Sequence, residues 1–186
     1  MEIIMNQEEK ELLFQDLSGR LPYRPIVSIT ENSMDNVGTQ ERLTASLLAS
    51  IEEEDSWEYI KPYLRPIASM TSPEVLELVK IYLRKYGANT CCIKNFEKIS
   101  NVEYLQAKNA WSVEVHYYDS FGQACTHYAN VGDVNSDTTI KEICWLNSHH
   151  FDYRGLIQKG FAVETTVYDQ TYEILYKYIT ERGKTD

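Results

Sequence analysis

The sequence lacks the long apolar segment that a membrane-spanning helix needs. No run of about 18 consecutive apolar residues occurs in its 186 residues. Positive charge is also scarce, since 18 Lys and Arg face 28 Asp and Glu and give a formal net charge of -10. Binding to nucleic-acid phosphates needs clustered Lys and Arg. The sequence therefore predicts no membrane insertion and no general nucleic-acid binding.

The motifs of common catalytic and phosphate-binding sites are missing as well. There is no G-x-G-x-x-G, G-x-S-x-G or H-E-x-x-H pattern and no P-loop. Only 8 glycines are present, which leaves little for a phosphate cradle. The sequence therefore favours a protein without enzymatic activity, and it predicts no cofactor.

Four cysteines are present, but they form no C-x-x-C pair and no zinc-ribbon spacing. Cys91 and Cys92 are adjacent, and the local geometry rarely allows such neighbours to bond to each other. The N-terminal segment is acidic and lacks the basic region and apolar core of a signal peptide. These features predict a cytoplasmic protein whose thiols are reduced and mostly buried.

Tyrosine is the residue that the composition has in excess, with 14 tyrosines beside 5 phenylalanines. Tyrosine combines an apolar ring with a polar hydroxyl, so it suits half-buried sheet faces and protein interfaces. Two interpretations stay open. The rings complete the edge of a small core, or they form a recognition surface.

The N-terminal part of the chain predicts a helix followed by a small β unit. Residues 43–51, which follow a turn-rich loop at 32–38, are ambiguous. Their position between two extended segments favours a strand over a helix. Pro62 and Pro66 exclude a regular helix over residues 61–66. The predicted elements are a helix capped by Asn6, strands over 26–29, 43–51 and 57–60, and an extended connector over 61–66.

The middle of the chain predicts the clearest helix and then a β-rich unit. Thr71 and Glu74 have the spacing of a capping box, and Gly87 is placed to end the helix. The alternation of apolar and polar residues then predicts strands, the last two of which form a hairpin. These strands cover 90–93, 102–107, 111–118 and 123–131.

The C-terminal part predicts mainly helices, over 138–147, near 153–159 and around 168–179. Strands in runs, rather than in alternation with helices, indicate an α+β fold. We expect small antiparallel β units with about four helices in a compact single domain. Its parts are 1–70 (helix plus small β unit), 88–135 (variable β-rich insert) and 136–186 (helical C-terminal part).

One register of the predicted hairpin gathers potential metal ligands on one face of the sheet. In that register Tyr118 pairs with Gln123. A shift by one residue would keep Cys125 and His127 together but move both away from His116. A half-exposed polar sheet face explains the same residues, so no metal site is predicted. The candidate ligands are Glu114, His116, Cys125 and His127.

A second group of chemically capable side chains lies between residues 147 and 155. These side chains could line a polar pocket in which a histidine acts as a base. In the structural alternative, the two histidines end a helix, where the helix dipole favours a cation, and Asp152 caps the next short helix. The candidate ligand-binding residues are His149, His150, Asp152, Tyr153 and Arg154, and no catalytic residue is assigned.

Tyr63 and Arg65 form a third candidate within the segment 59–66. Basic residues interleaved with tyrosines can stack on bases or on a nucleotide. The alternative is a proline-stiffened linker whose rings pack against the sheet.

Three blocks of the sequence are LSGRLPY at 17–23, YIKPYLRPIASMT at 59–71 and ICWLNSHHFDYRGLIQKGFAVE at 143–164. Together they resemble an uncharacterised family of short proteins from phages and prophages of gut bacteria. The chain departs from the family pattern at Arg24 and Pro25, where the family usually continues with glycine and an apolar residue. The resemblance implies a phage or mobile-element origin and expression inside a bacterial host, and it carries over no catalytic residue.

The stretch between Met70 and Trp145 varies among such proteins, which favours residues 88–135 as the place of the specific function. We predict a non-enzymatic phage-derived protein that binds a host component, either a host protein or a small signalling ligand. A defence-system inhibitor is one form of this prediction, and a homo-oligomer is compatible with it. The alternatives are a small-molecule or nucleotide-binding module lined by Tyr63, Arg65, Tyr153 and Arg154, and a small enzyme that pairs His149 or His150 with Asp152.

Overall fold

The computed structural model describes residues 5–30, 39–84, 96–118 and 122–165. Within these residues lie four α-helices and two sheets, which confirms the predicted α+β class. The helices are α1 (Gln7–Arg20), α2 (Ala45–Glu54), α3 (Ser72–Leu83) and α4 (Ile140–Ser148). The strands are β1 (Ile26–Ile29), β2 (Thr39–Arg42), β3 (Ile60–Leu64), β4 (Phe96–Leu105), β5 (Ala110–Tyr118), β6 (Ala124–Val131) and β7 (Val163–Glu164).

The first sheet has the strand order β2-β1-β3-β7, and the second has the order β4-β5-β6. All pairs are antiparallel except β3 with β7, which run parallel. Among the described helices, none has the length and apolar character needed to cross a bilayer.

Three of the helices begin with the capping boxes that the sequence predicts. In each, the glutamate three residues into the helix accepts a hydrogen bond from the backbone N–H of the capping residue, at 2.7 to 2.9 Å. This contact satisfies an N–H that the helix itself cannot use. The pairs are Asn6 with Glu9 in α1, Thr71 with Glu74 in α3, and Thr139 with Glu142 in α4.

The strand predicted over 43–51 is wrong, because α2 occupies this region. Thr44 Oγ1 caps the helix by accepting a hydrogen bond from Leu47 N at 3.2 Å. Leu48 and Ile51, three residues apart, are both buried, so helical spacing brings them to the core together. Burial on one face decides between helix and strand here, and local composition does not show it.

The strand predicted over 57–60 and the connector over 61–66 are also corrected. Trp57–Tyr59 form a 3-10 turn, and Ile60–Leu64 form β3. Pro62 fits this strand because β7 pairs only with Tyr63 and Leu64. Pro62 thus has a paired strand on one side only. A proline, which lacks the backbone N–H, is tolerated at such a position because the other side of the strand is open.

Two further helices were predicted near the C-terminus. Residues 153–159 form turns rather than a helix, and Gly155 and Gly160 both have left-handed backbone, with φ of 71° and 76°. The helix predicted around 168–179 and the strand predicted over 90–93 lie outside the described residues. Arg24 also has left-handed backbone, with φ of 47°.

Two of the four thiols fall within the described residues. Cys125 is half-buried and Cys144 is exposed, so the expectation of buried thiols is wrong for both of them. The Cys144 thiol contacts Tyr23, and this hydrogen bond, followed by burial, raises the pKa of the Tyr23 phenol.

The buried side chains form two apolar cores. One lies among α1, α2 and the first sheet, and the other lies among α3, α4 and the second sheet. The segment after α4 joins them, because Phe151 belongs to the second core while Leu156 and Phe161 belong to the first. The predicted site residues 149–154 therefore sit where the two cores meet.

Candidate functional site

A buried arginine of α1 holds the segment that follows α4. Arg20 Nε donates to Asp16 Oδ2 at 2.6 Å, and Arg20 Nη2 donates to Asp16 Oδ1 at 3.1 Å. The same Nη2 also donates to the Phe151 carbonyl at 2.8 Å. Both charged side chains are fully buried. We call residues 147–157, together with Asp16, Arg20 and Arg65, the junction.

Arg65, a predicted ligand-binding residue, is committed to internal contacts at the junction. Its guanidinium donates to both carboxylate oxygens of Glu74, at 2.7 and 3.1 Å, and to the Ser69 carbonyl at 3.3 Å. It also lies 4.4 Å above the Phe151 ring. Burial alone would raise the pKa of Glu74, but hydrogen bonds from Arg65 and Thr71 outweigh this and lower it.

The backbone of Arg65 also pairs with the segment after α4. Arg65 N donates to the His150 carbonyl at 2.9 Å, and Asp152 N donates to the Arg65 carbonyl at 2.7 Å. These bonds extend the first sheet by one residue beside Phe151. The junction is therefore fixed by main-chain bonds as well as by ion pairs.

Asp152 accepts backbone hydrogen bonds as the structural alternative predicted, but the segment that it caps is a turn and not a helix. Its Oδ1 accepts from Leu156 N and its Oδ2 accepts from Ile157 N, both at 2.8 Å. Burial raises the pKa of the carboxyl, although the two backbone N–H groups and Arg20 oppose this. Both carboxylate oxygens are therefore engaged with backbone N–H groups of the following turn.

The two histidines differ in their surroundings. His149 stacks on Trp145 with ring centroids 4.0 Å apart, and its Nδ1 lies 2.9 Å from the Trp145 carbonyl. His150 is largely enclosed, with left-handed backbone at φ 58°. Burial, with nearby Arg20, lowers the pKa of His150 to about 3. The expectation of a cation at this helix end is therefore wrong for His150.

Tyr153 and Arg154 complete the junction. The Tyr153 ring lies between two guanidinium groups, 5.4 Å from that of Arg20 and 5.3 Å from that of Arg154. Arg154 Nε lies 3.4 Å from Asp16 Oδ1. The Tyr63 hydroxyl instead accepts a hydrogen bond from Gln40 on β2 at 3.0 Å. The junction therefore gathers six of the seven predicted residues, and their contacts are structural.

The register of the hairpin separates the candidate metal ligands. Tyr118 pairs with Ala124, one residue away from the predicted partner. His127 thus lies opposite Val115 on the inner face, together with Cys125, whereas His116 lies on the outer face. Among the residues that the structure describes, no three His, Cys, Asp or Glu side chains are grouped to hold a metal ion.

The outer face of the second sheet carries a hydrogen-bonded polar row. Ser100 Oγ lies 2.7 Å from His116 Nε2, and Thr126 Oγ1 lies 3.4 Å from His116 Nδ1. Glu114 accepts from Asn101 and Ser100, and its Oε1 lies 3.7 Å from the same His116 Nε2. Serine and carboxylate share one ring nitrogen, so the histidine cannot relay a proton between them as in a catalytic triad.

Exposed tyrosines flank this polar row. Tyr128 is 68% exposed and Tyr118 is 40% exposed, and both point to the same side as His116. Tyr128 was missed as a candidate residue, although alternation along β6 is a signal for its exposure. We define the outer face by residues 112, 114, 116 and 118 of β5 and residues 124, 126, 128 and 130 of β6.

A cleft of about 450 Å³ lies apart from both regions, between α1 and α2. Trp57 and Phe14 form an edge-to-face aromatic pair there, 5.8 Å between ring centroids. Lys10 and Asp55 cross the cleft with an ion pair at 2.7 Å. The cleft thus combines an aromatic wall with charged groups, and none of its lining residues was predicted as a site.

Comparison of the chain with protein-family models, with curated proteins and with solved structures gives no match. Function is therefore inferred from the residues and contacts of this chain itself. The outer face presents the exposed side chains of Tyr118 and Tyr128 to solvent.

Proposed function

We propose that this chain is a non-enzymatic binding protein that recognises a host protein through the outer face. The observation that carries the proposal is the 68% exposure of Tyr128, on a sheet face that also presents Tyr118. Solvent-exposed tyrosines beside polar groups are typical of protein interfaces, where a few aromatic side chains supply most of the binding energy. The outer face also falls within residues 88–135, where the resemblance to phage proteins favours the specific function.

The charge of the chain supports a basic partner. With a formal net charge of -10, the chain attracts a positively charged surface as the two approach each other. Such attraction mainly accelerates association, whereas the tyrosines of the outer face hold the complex. The resemblance supports a partner in a bacterial cell that carries the phage or prophage, and a host defence protein is one candidate.

The contacts at the junction support the absence of catalysis there. Asp152 uses both oxygens to cap a turn, and Arg65 uses its guanidinium to bind Glu74. The low pKa of His150, about 3, results from burial and makes it a poor base at neutral pH. Both Asp152 and Arg65 are thus engaged within the fold, which disfavours the enzyme alternative at the junction.

The test is a capture experiment with the tagged full chain in bacterial host lysate. We expect wild type to retain a host protein that the double variant Tyr118→Ser, Tyr128→Ser loses. The matched control is Ile140→Ser, since Ile140 is 78% exposed at the start of α4, away from the outer face. Equal capture by all three proteins would contradict the proposal.

A small-molecule function is the second candidate, supported by the cleft between α1 and α2 rather than by the predicted residues. An aromatic wall beside charged groups suits a small amphipathic ligand. Native mass spectrometry of the purified chain would reveal a bound compound. A mass equal to that of the chain alone, in protein from host lysate, would remove this candidate.

A further inference from the structure

The two edges of the second sheet differ in how well they are protected against pairing with another strand. The sequence of β4, FEKISNVEYL, includes three charged residues. Its pairing with β5 is also interrupted twice by register shifts, between Phe96 and Lys98 and between Ser100 and Glu103. Charges and bulges on an edge strand oppose the addition of a further strand. The β4 edge is therefore protected.

The β6 edge has none of these features. Its sequence, ACTHYANV, contains no charged residue, no proline and no glycine. All eight residues pair with β5 in one uninterrupted register, from Tyr118 with Ala124 to Trp111 with Val131. Within the described residues, β5 is the only strand paired with β6. A long, regular, uncharged edge strand is a template for another strand.

We infer that β6 pairs with β6 of a second copy of this chain, antiparallel, to join the two second sheets into one six-stranded sheet. An antiparallel strand paired with itself obeys two-fold symmetry, so the contact closes at a dimer. No charged side chains meet across the new pair, because β6 has none. The net charge of -10 on each copy lies elsewhere and is screened at physiological salt beyond about 8 Å.

The side chains of β6 also favour a second copy. On the outer face, Thr126, Tyr128 and Asn130 of one copy come beside the same residue types of the other. Aromatic side chains and Thr pairs stabilise cross-strand contacts. On the inner face, α3 already packs against β6, with the Tyr82 and His127 ring centroids 6.0 Å apart. Edge pairing therefore leaves both faces as they are and brings the exposed tyrosines of two copies onto one continuous surface.

The test measures the mass of the full chain in solution by light scattering during size-exclusion chromatography. At about 100 μM chain, even a dimer with a dissociation constant near 1 μM is populated. We expect wild type to give twice the chain mass of 21.6 kDa. In a dilution series, the double variant Thr126→Lys, Asn130→Lys should give the single-chain mass at chain concentrations where wild type is still a dimer, with a dissociation constant raised at least tenfold. The control, Val102→Lys on the protected β4 edge, should remain a dimer.

A second measurement does not depend on the variants folding. Amide hydrogen exchange of wild type is followed at a dilute and at a concentrated protein solution. We expect β6 amides to exchange more slowly at the higher concentration, while β4 amides are unchanged. A wild type of single-chain mass, as expected if β6 instead receives a strand from a host protein, overturns the inference. So does a folded Lys variant that remains a dimer, or concentration-dependent protection outside β6.

Discussion

The junction and the outer face contain the same types of side chain in opposite states. Each has a histidine, a carboxylate and tyrosine. At the junction, Asp152 is buried and His150 is only partly exposed, and both Asp152 oxygens accept hydrogen bonds from backbone N–H groups. On the outer face, Glu114 and His116 form a polar row beside the exposed Tyr128. Residue type alone therefore does not identify a site, since the atoms must also be free to contact a ligand.

The difference has an energetic side. Charged side chains at the junction are shielded from solvent, so the stability of each depends on its partner within the fold. Side chains on the outer face keep contact with solvent, which replaces a lost partner at low cost. Removing a junction residue should therefore cost stability, and removing an outer-face residue should cost binding.

The largest effect is expected for Arg20→Met. This change leaves the buried Asp16 carboxylate without its main partner, and breaking such a pair costs about 3–5 kcal/mol. Lys10→Met is the control on the same helix, because the Lys10–Asp55 pair is exposed and should cost less than about 1 kcal/mol. Denaturant unfolding measures both. Equal free-energy losses would show that the junction pair is not structural.

A smaller loss is expected for Asp152→Ala. The change removes the acceptors of Leu156 N and Ile157 N, and replacing a capping aspartate by alanine costs about 0.5–2 kcal/mol. Glu114→Ala is the same change on the outer face, where we expect about 1 kcal/mol or less. The comparison between the two regions would fail if Glu114→Ala were the more destabilising variant.

His150 should make stability depend on pH. Its folded pKa of about 3 lies below the ordinary value of 6.5, so the folded protein favours the neutral ring. This contribution is complete above pH 6.5 and is lost as pH falls from 6.5 towards 3, by at most about 1.4 kcal/mol per pH unit.

The variant that isolates this effect is His150→Asn, because asparagine tolerates the left-handed backbone at φ 58°. We expect the difference in unfolding free energy between wild type and variant to shift in the variant's favour as the pH falls from 7 to 4.5. Asp152, whose raised pKa acts in the opposite sense, is present in both proteins. A difference that is constant with pH would mean that His150 accepts a proton freely in the folded state.

The smallest effect on stability is expected for Tyr128→Ser. Because the side chain is 68% exposed, the unfolding free energy should change by about 0.5 kcal/mol or less. Affinity for the captured host protein should nevertheless fall at least about tenfold, as for an aromatic side chain at the centre of an interface. Calorimetric titration measures the affinity, and thermal unfolding measures the stability of the variant. A destabilised variant with unchanged affinity would reverse the proposed role of Tyr128.

Local signals predicted some elements and not others. The capping boxes of α1, α3 and α4 are readable because both partners lie three residues apart. The helix α2 was missed because its choice over a strand depends on where Leu48 and Ile51 are buried. The hairpin register was missed by one residue, since one loop position is enough to move Cys125 and His127 to the other face.

The residues of the outer face could be predicted only where a local signal exists. Glu114 and His116 alternate along one strand, so their shared face follows from the period of a strand. The role of Arg20 at the junction could not be predicted, because it bonds to Phe151, 131 residues away. In the folded chain, Arg65 and Asp152, which were predicted to line a pocket, make internal contacts at this junction.

The measurement that tests the account most directly is amide hydrogen exchange of the chain with and without its captured host protein, at one fixed chain concentration. We expect slower exchange on binding in β5 and β6, residues 110–118 and 124–131, and unchanged exchange in residues 147–157. Protection confined to 147–157, with none in β5 or β6, would contradict it and would return the binding site to the junction.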